Sequence, residues 1–321
     1  MIGRLIARRL LLATGTLIIV SVAIFVVVEI LPGDIARLML GPYASAEDVA
    51  LVRLELGLDR PLALRYLEWA GHFLTGEWGN SWRLRTAIGP LVMGRLLNSA
   101  VLAGLAIVII VPIAILAGII AAARRGRLAD RAISMGGMCF MAVPEFVSSM
   151  FLILVFSLWL RWFPSAARIP GDTSILSHLD ALVLPICALA LVLFGYVSRM
   201  VRASMIAELR RGYVRTALLK GVPPRVVLIR HVLRNALLPT ITVIANQVSW
   251  LVGGLVVVEN VFNYPGLGQL LLQAALSQDL PMLEITVLIL AAILIGANLI
   301  ADILYGVLNP RTRIQRQGAA L

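Results

Sequence analysis

Residues 213–239 read YVRTALLKGVPPRVVLIRHVLRNALLP, a basic block set between two long apolar runs. Pro223-Pro224 removes two N–H donors and disfavours helix at the preceding residue. Gly221 can close the arm before it in a left-handed cap. Segments 201–221 and 225–238 both have helical composition, so the spacing predicts helix, sharp turn, helix. Arg215 and Lys220 fall on one arm, and Arg225, Arg230 and Arg234 on the other. The second arm also carries Val226, Val227, Leu228, Ile229, Val232 and Leu233. An apolar strip beside arginines suits a groove on a soluble partner; the plainer reading is an amphipathic helix lying on anionic lipid.

The chain around this elbow is built for lipid. Of its 321 residues 60% are hydrophobic and 14% charged, with mean hydropathy +0.95; soluble domains are nearer half apolar and a quarter charged. A hydrocarbon core about 30 Å thick needs roughly 20 apolar residues per helix. Segments 10–31, 97–122, 133–160, 179–199, 240–261 and 283–307 meet that length. None alternates as a membrane-barrel strand does. The expectation is an all-α polytopic protein with about six spans. Arg4, Arg8 and Arg9 precede a first apolar run longer than a signal peptide's core, and no small-x-small cleavage site follows, so this run reads as an uncleaved anchor.

Charge sets the expected orientation. With the N-terminus in the cytoplasm, inside segments hold 19 Lys and Arg and outside segments hold 9. The positive-inside rule then places both termini in the cytoplasm. The net charge of +11 is thus mainly a topology signal, and no basic stripe with interleaved aromatics suggests nucleic acid.

Chemistry is sparse. Cys139 and Cys187 lie within expected spans in no metal or redox spacing and read as buried small hydrophobes. His72, His178 and His231 are scattered, and no phosphate loop, nucleophile elbow or zinc motif is present. The expectation is a non-catalytic chain that binds no metal and no cofactor of its own. Segment 32–96 predicts an extracytoplasmic helical cap. Ser45 caps one helix that Gly57 ends, Pro61 opens another, and Trp69, Trp78 and Trp82 suit the interface.

Ionisable residues inside spans are costly and often functional. Glu29, Glu145, Glu259 and Asp302 are the candidates, with Glu145 just after Pro144 at an expected kink. Helix packing and contact with a cationic solute group both remain open for them. Gly253-Gly254 reads as a close helix crossing or a gate, with Phe262 beside it. An ion-coupled secondary transporter is the alternative class. It calls for inverted repeats, and segments 10–160 and 179–307 do not pair.

The elbow resembles the cytoplasmic coupling (EAA) loop of ABC importer permeases, in the form of the B-type subunit of the oligopeptide, dipeptide and nickel transporters. The matching residues are Tyr213-Val214-Arg215-Thr216-Ala217, Lys220-Gly221, and Arg230-His231-x-x-Arg234-Asn235-Ala236-Leu237-Leu238-Pro239, with Val222 and Pro223 in the same loop. Further matches run along the chain: Leu31-Pro32-Gly33-Asp34, Leu56-Gly57-Leu58-Asp59-x-Pro61, Gly76-x-x-Gly79-x-Ser81, Val258-Glu259-x-Val261-Phe262-x-x-Pro265-Gly266-Leu267-Gly268 and Asn309-Pro310-Arg311. Arg215-Thr216-Ala217 stands where the general motif has Glu-Ala-Ala, which is similar to this subfamily's own variant.

The resemblance implies a type I importer fold. It divides into a 1–96 anchor and extracytoplasmic segment, a 97–310 permease domain with its coupling loop at about 199–238, and a 311–321 cytoplasmic tail. It also implies a bacterial inner-membrane heterodimer with a second permease subunit. Two ATPase subunits would carry ATP and Mg, and a periplasmic or lipid-anchored solute-binding protein would deliver peptides or a related small polar solute. The stretch from Gly221 to Val227 would seat in the ATPase.

Overall fold

The computed structural model describes residues 2–30, 43–55, 59–168 and 179–308. Motif residues 31–34, 56–58 and 309–311, the 311–321 tail and His178 lie outside them. The described residues form helices and contain no β-strand: α1 (Ile2–Ile30), α2 (Ala46–Glu55), α3 (Leu62–Thr75), α4 (Ile88–Ala123), α5 (Leu128–Ala142), α6 (Glu145–Trp159), α7 (Leu179–Leu209), α8 (Gly212–Leu219), α9 (Pro224–Val261), α10 (Leu267–Leu276) and α11 (Leu280–Leu308). Five of these, α1, α4, α7, α9 and α11, are long and apolar enough to cross a membrane. The bent pair α5–α6 makes a sixth if it counts as one span.

All six expected segments are helical, but three boundaries are corrected. The 133–160 segment is not one rod: α5 and α6 diverge by 108° at Val143-Pro144, because proline and its predecessor resist helix. The kink expected at Glu145 is therefore a full break. The 201–221 arm is not one helix either. It is the end of α7 plus the separate α8, with a turn at Arg210-Arg211. Finally, the 225–238 arm and the 240–261 span are a single helix, α9, which passes through Pro239. Membrane helices accept such a proline where local π turns and hydroxyls take up the disturbed backbone groups. Here Val227–Leu233 is π-helical, and the buried Thr240 Oγ1 bonds the Ala236 carbonyl at 3.2 Å.

The core forms around α7, the most buried span, which packs against α4, α5 and α9. Leu182, Leu189, Leu193, Val197, Val201 and Met205 are buried along its length. Gly195 lets α5 approach closely: a Cβ there would stand 2.5 Å from the Gly137 carbonyl oxygen. Without a hydrophobic driving force between helices in lipid, such small-residue contacts carry the packing. Helices α1 and α11 pair on the outside, joined at one end by an Arg9–Asp302 ion pair, and α3 packs on α1 at the other.

The described part of the cap expected over 32–96 holds two short helices, α2 and α3, and a loop over 76–87, while residues 88–96 already belong to the span α4. Ser45 Oγ accepts the Asp48 N–H at 3.1 Å, as an N-cap should. Pro61 is the residue just before α3, not inside it. The aromatic side of α3 leans on α1: Phe25 meets Tyr66 and Trp69 at 5.6 and 5.8 Å, and Ser21 bonds Tyr66 at 2.8 Å. Cys187 is half-buried, whereas Cys139 is exposed, contrary to expectation, because only one face of α5 meets α7.

Candidate functional site

The elbow is a hydrogen-bonded turn with one buried and one exposed face. α8 ends in a Schellman motif centred on Gly221 at φ 80°: Val222 N–H bonds the Ala217 carbonyl at 3.2 Å, and Gly221 N–H the Leu218 carbonyl at 3.0 Å. A left-handed residue there satisfies two carbonyls that the helix end would otherwise leave bare. Pro223 and Pro224 then start α9, which needs no N–H donors in its first turn.

The apolar strip divides between two faces. Val214, Val227 and Val232 are buried against Val197, Val201 and Met205, with Ala217, Val222, Leu228 and Leu233 beside them. That half of the strip belongs to the chain's own core and is not available to a partner, which corrects the expectation of one wide docking strip. Leu218, Leu219, Val226 and Ile229 face outward, 40–79% exposed, and Arg215, Lys220, Arg225, Arg230, His231 and Arg234 are exposed as well.

Two of the matched residues meet. Tyr213 Oη donates to Glu208 Oε2 at 2.9 Å and accepts from Asn235 Nδ2 at 3.3 Å, while Arg211 Nε holds Glu208 Oε1 at 3.1 Å. The end of α7, the start of α8 and the body of α9 are thus tied at one phenol. Desolvation, and then the Glu208 carboxylate, push the Tyr213 hydroxyl above its ordinary value, partly countered by Asn235, so the proton it donates stays in place. Ala217 is half-buried under the turn, and Pro239 lies a full turn beyond Asn235 on α9.

A second tie at this end involves a residue that sequence reasoning missed. Asp130, buried at 4% exposure, receives Arg202 through both Nε and Nη2, the latter at 2.8 Å, and Gly126 N–H at 2.9 Å. It fixes the basic turn 124–127 to α7. Its signal in the sequence was a lone acid in the first turn of a helix within an arginine run.

The residues proposed for the pathway separate. Glu259 is fully buried and serves as a cap: Ser99 Oγ donates to Oε1 at 2.5 Å, and Gly268 and Gln269 N–H reach Oε2 at 2.7 and 3.3 Å. A carboxylate at the N-terminus of α10 is well placed for its dipole. Ser99 Oγ also accepts the Leu267 N–H at 2.8 Å, and a Cβ at residue 266 would overlap the Glu259 carboxylate. The Pro265-Gly266-Leu267-Gly268 motif therefore builds this cap. Phe262 is buried in the adjacent core and its carbonyl holds Ala167 N–H at 2.7 Å. Tyr264 Oη donates to the Asn98 carbonyl at 2.7 Å, and burial, with Glu259 nearby, pushes this phenol well above its ordinary range. In this arrangement neither Glu259 nor Phe262 faces an open path.

Glu29 and Asp302 are also engaged, with Arg65 at 2.5 Å and with Arg9. Glu284 of α11, missed in the sequence, lies near Trp69, Glu29 and Arg65. Glu145 is different. Half-buried at the start of α6, it makes no side-chain hydrogen bond among the described residues, and its Oε1 would lie 3.0 Å from a Cβ at Gly254. It faces a hollow between α6, α7 and α9 with Gln247 and Trp250. Gly254 gives way to a carboxylate there, and Gly253 opens on the other side of α9, beside Trp250 and Asn298.

Comparison with known proteins accords with this architecture. The family model described as "Binding-protein-dependent transport system inner membrane component" matches residues 114–314, and that of the N-terminal part of such components matches residues 1–82. A peptide transport system permease protein of Brucella melitensis is 38% identical over 98% of this chain and 99% of its own length. A peptide permease protein of Brucella ovis is 35% identical over 96% and 98%. The glutathione transport system permease protein of Shigella flexneri is 37% identical over 96% and 98%.

Proposed function

The chain belongs to the inner-membrane permease components of binding-protein-dependent transport systems, and from that premise we propose that it carries peptides across the bacterial inner membrane as one half of a heterodimeric pathway. The second permease forms the other half. Two ATPase subunits holding ATP and Mg dock on the elbow, and a periplasmic or lipid-anchored binding protein supplies the solute from the opposite side. The chain itself performs no catalysis, and both termini face the cytoplasm, on the side of its excess arginines. The relatives named for peptide and glutathione transport support a peptide solute.

The observation that carries the coupling role is the exposed face around Gly221. Leu218, Leu219, Val226 and Ile229 lie open beside Lys220 and Arg225 on a turn braced to α7 and α9. An apolar patch rimmed by cations, at the end of two long spans, is what an ATPase groove could grip and push. Closure of the ATPases would then rock α7 and α9 together, because Tyr213 ties them.

Affinity purification in mild detergent tests this. The native chain should bring down a second permease, ATPase subunits and a binding protein. Leu219→Ser with Ile229→Ser should keep the second permease and lose the ATPases. Recovery of the native chain alone or as a self-dimer would sink the proposal, as would full ATPase retention by the double variant.

A further inference from the structure

We propose that the turn Trp82-Arg83-Leu84-Arg85 is a cationic knob on which the solute-binding protein docks, through an acidic rim around a small apolar hollow. The inference rests on the binding-protein-dependent reading above and assigns that partner its contact on this chain.

The turn's backbone is held from several sides. Ser81 N–H bonds the Thr86 carbonyl at 2.9 Å and Arg85 N–H the Ser81 carbonyl at 3.0 Å, with an antiparallel bridge between Asn80 and Ala87 at the base. Ser81 Oγ accepts the Leu84 N–H at 2.9 Å and donates to Asp279 Oδ2. The same carboxylate takes the Trp82 and Arg83 N–H groups at 3.2 and 3.4 Å. Arg85 stands at φ 53°, a left-handed geometry that non-glycine residues adopt at a cost and that collects at functional sites. A buried acid beside the start of α11 thus spends its hydrogen bonds on the shape of a surface turn.

What this mounting presents is positive charge around one apolar tip. Arg83 and Arg85 are exposed, and Leu84 between them is 55% exposed. Elsewhere in 59–96, Arg60 pairs with Glu68, Arg65 with Glu29, and Arg95 bonds Gln269 Oε1 at 3.0 Å, whereas Arg83 and Arg85 make neither an ion pair nor a side-chain hydrogen bond among the described residues. The nearby acids are already engaged, Glu77 with His72 at 3.1 Å and Asp279 with the turn itself. Water solvates exposed arginines readily, so the pair carries no penalty when free. Held in one place, the two charges steer an acidic partner and fix its register, while Leu84 gives the contact a tip to bury.

Height decides between protein and lipid as the occupant. Helix α4 has 36 residues, about 54 Å at 1.5 Å per residue, and still projects about 50 Å at the common tilt of about 20°. A bilayer with its headgroups is about 40–45 Å thick. The surplus lies at the end that carries the turn, because the other end stops at Arg124-Arg125 and the apolar run of α4 begins only at residue 97. The turn therefore stands clear of the headgroups, above the lipid phosphates and within reach of a soluble protein. It lies at the end of the bundle opposite the elbow, on the side that the charge balance places outside the cytoplasm.

The test uses the assembled transporter in nanodiscs of phosphatidylcholine and phosphatidylglycerol, titrated at several salt concentrations with the solute-binding protein that co-purifies with it. Arg83→Glu with Arg85→Glu should weaken binding about tenfold at low salt and flatten the salt dependence of the native complex, because charges at a contact rim act through steering and screening. Arg83→Lys with Arg85→Lys keeps both charges and should bind close to the native affinity. Unchanged binding in the glutamate variant would overturn the assignment, and so would an equal loss in the lysine variant, the mark of a disturbed turn. A loss that vanishes in nanodiscs of phosphatidylcholine alone would give the knob to anionic lipid and overturn it as well. A native complex with which no solute-binding protein co-purifies would remove the binding-protein reading together with the knob, an outcome distinct from the others.

Discussion

The two ends of this helix bundle spend their polar groups in opposite ways. At the end away from the elbow, buried carboxylates turn inward onto backbone. Glu259 caps α10, and Asp279, 3% exposed, takes Ser81 Oγ and the Trp82 N–H at 3.2 Å, sealing the 76–87 loop against the start of α11. At the elbow end, the ties between Tyr213, Glu208 and Asn235 and between Asp130 and Arg202 brace a surface that stays open, with four apolar side chains and six cationic or imidazole groups unburied. One end is internally satisfied and built to keep its shape. The other is hydrogen-bonded underneath and open on top, the arrangement that the proposed ATPase contact calls for.

Substitutions can break this contrast. The largest effect on folding is expected at Gly266→Val, where the new side chain would displace the Glu259 carboxylate and strand the N–H groups it holds. Overpacking and unsatisfied buried donors together should cost about 3 kcal/mol or more, read as loss of folded protein from the membrane. Next comes Arg202→Ala, which leaves Asp130 buried without its cation. Removing one partner of a fully buried pair costs ~3–5 kcal/mol; with Arg202 30% exposed, about 2 kcal/mol is expected, measured as a drop in the midpoint of thermal unfolding.

At the elbow, stability and function should part company. Gly221→Val forces a β-branched residue into left-handed geometry at about 1–2 kcal/mol. The protein should persist in the membrane while ATP-driven uptake falls at least tenfold; undiminished uptake would count against the coupling role. Tyr213→Phe removes the phenol's bonds to Glu208 and Asn235 and should cost about 1 kcal/mol. Its uptake should fall relative to ATP hydrolysis, since the tie between α7 and α9 is loosened. Smallest for folding is Ile229→Ser, at 66% exposure, where stability should move by less than about 0.5 kcal/mol while ATPase retention drops. Should that variant unfold instead, the exposed face would be part of the core and the contrast between the ends would disappear.

Particular residues show how far the sequence could be read. The six apolar segments, the helix break before Glu145, the left-handed cap at Gly221 and the Ser45 cap follow from local chemistry, since helix length, proline and glycine act within a turn or two of themselves. Pro239 misled, because its effect depends on whether neighbouring groups absorb the lost hydrogen bond, and here a π-helical turn and Thr240 accompany the unbroken helix. Glu259 and Glu145 looked alike as carboxylates in apolar runs, yet one is spent on the α10 N-terminus and the other meets nothing.

By itself, the sequence determined the membrane class, the helical content, the place of the elbow and the family resemblance, because each rests on composition, short-range backbone constraints or a linear motif. Only the tertiary structure decided which charged groups neutralise one another and which half of the elbow's apolar strip is buried. It also brought Glu208 of α7, Tyr213 of α8 and Asn235 of α9 together at one phenol. Those outcomes depend on distances between residues tens of positions apart, which are set by how the spans pack and leave no trace in local spacing.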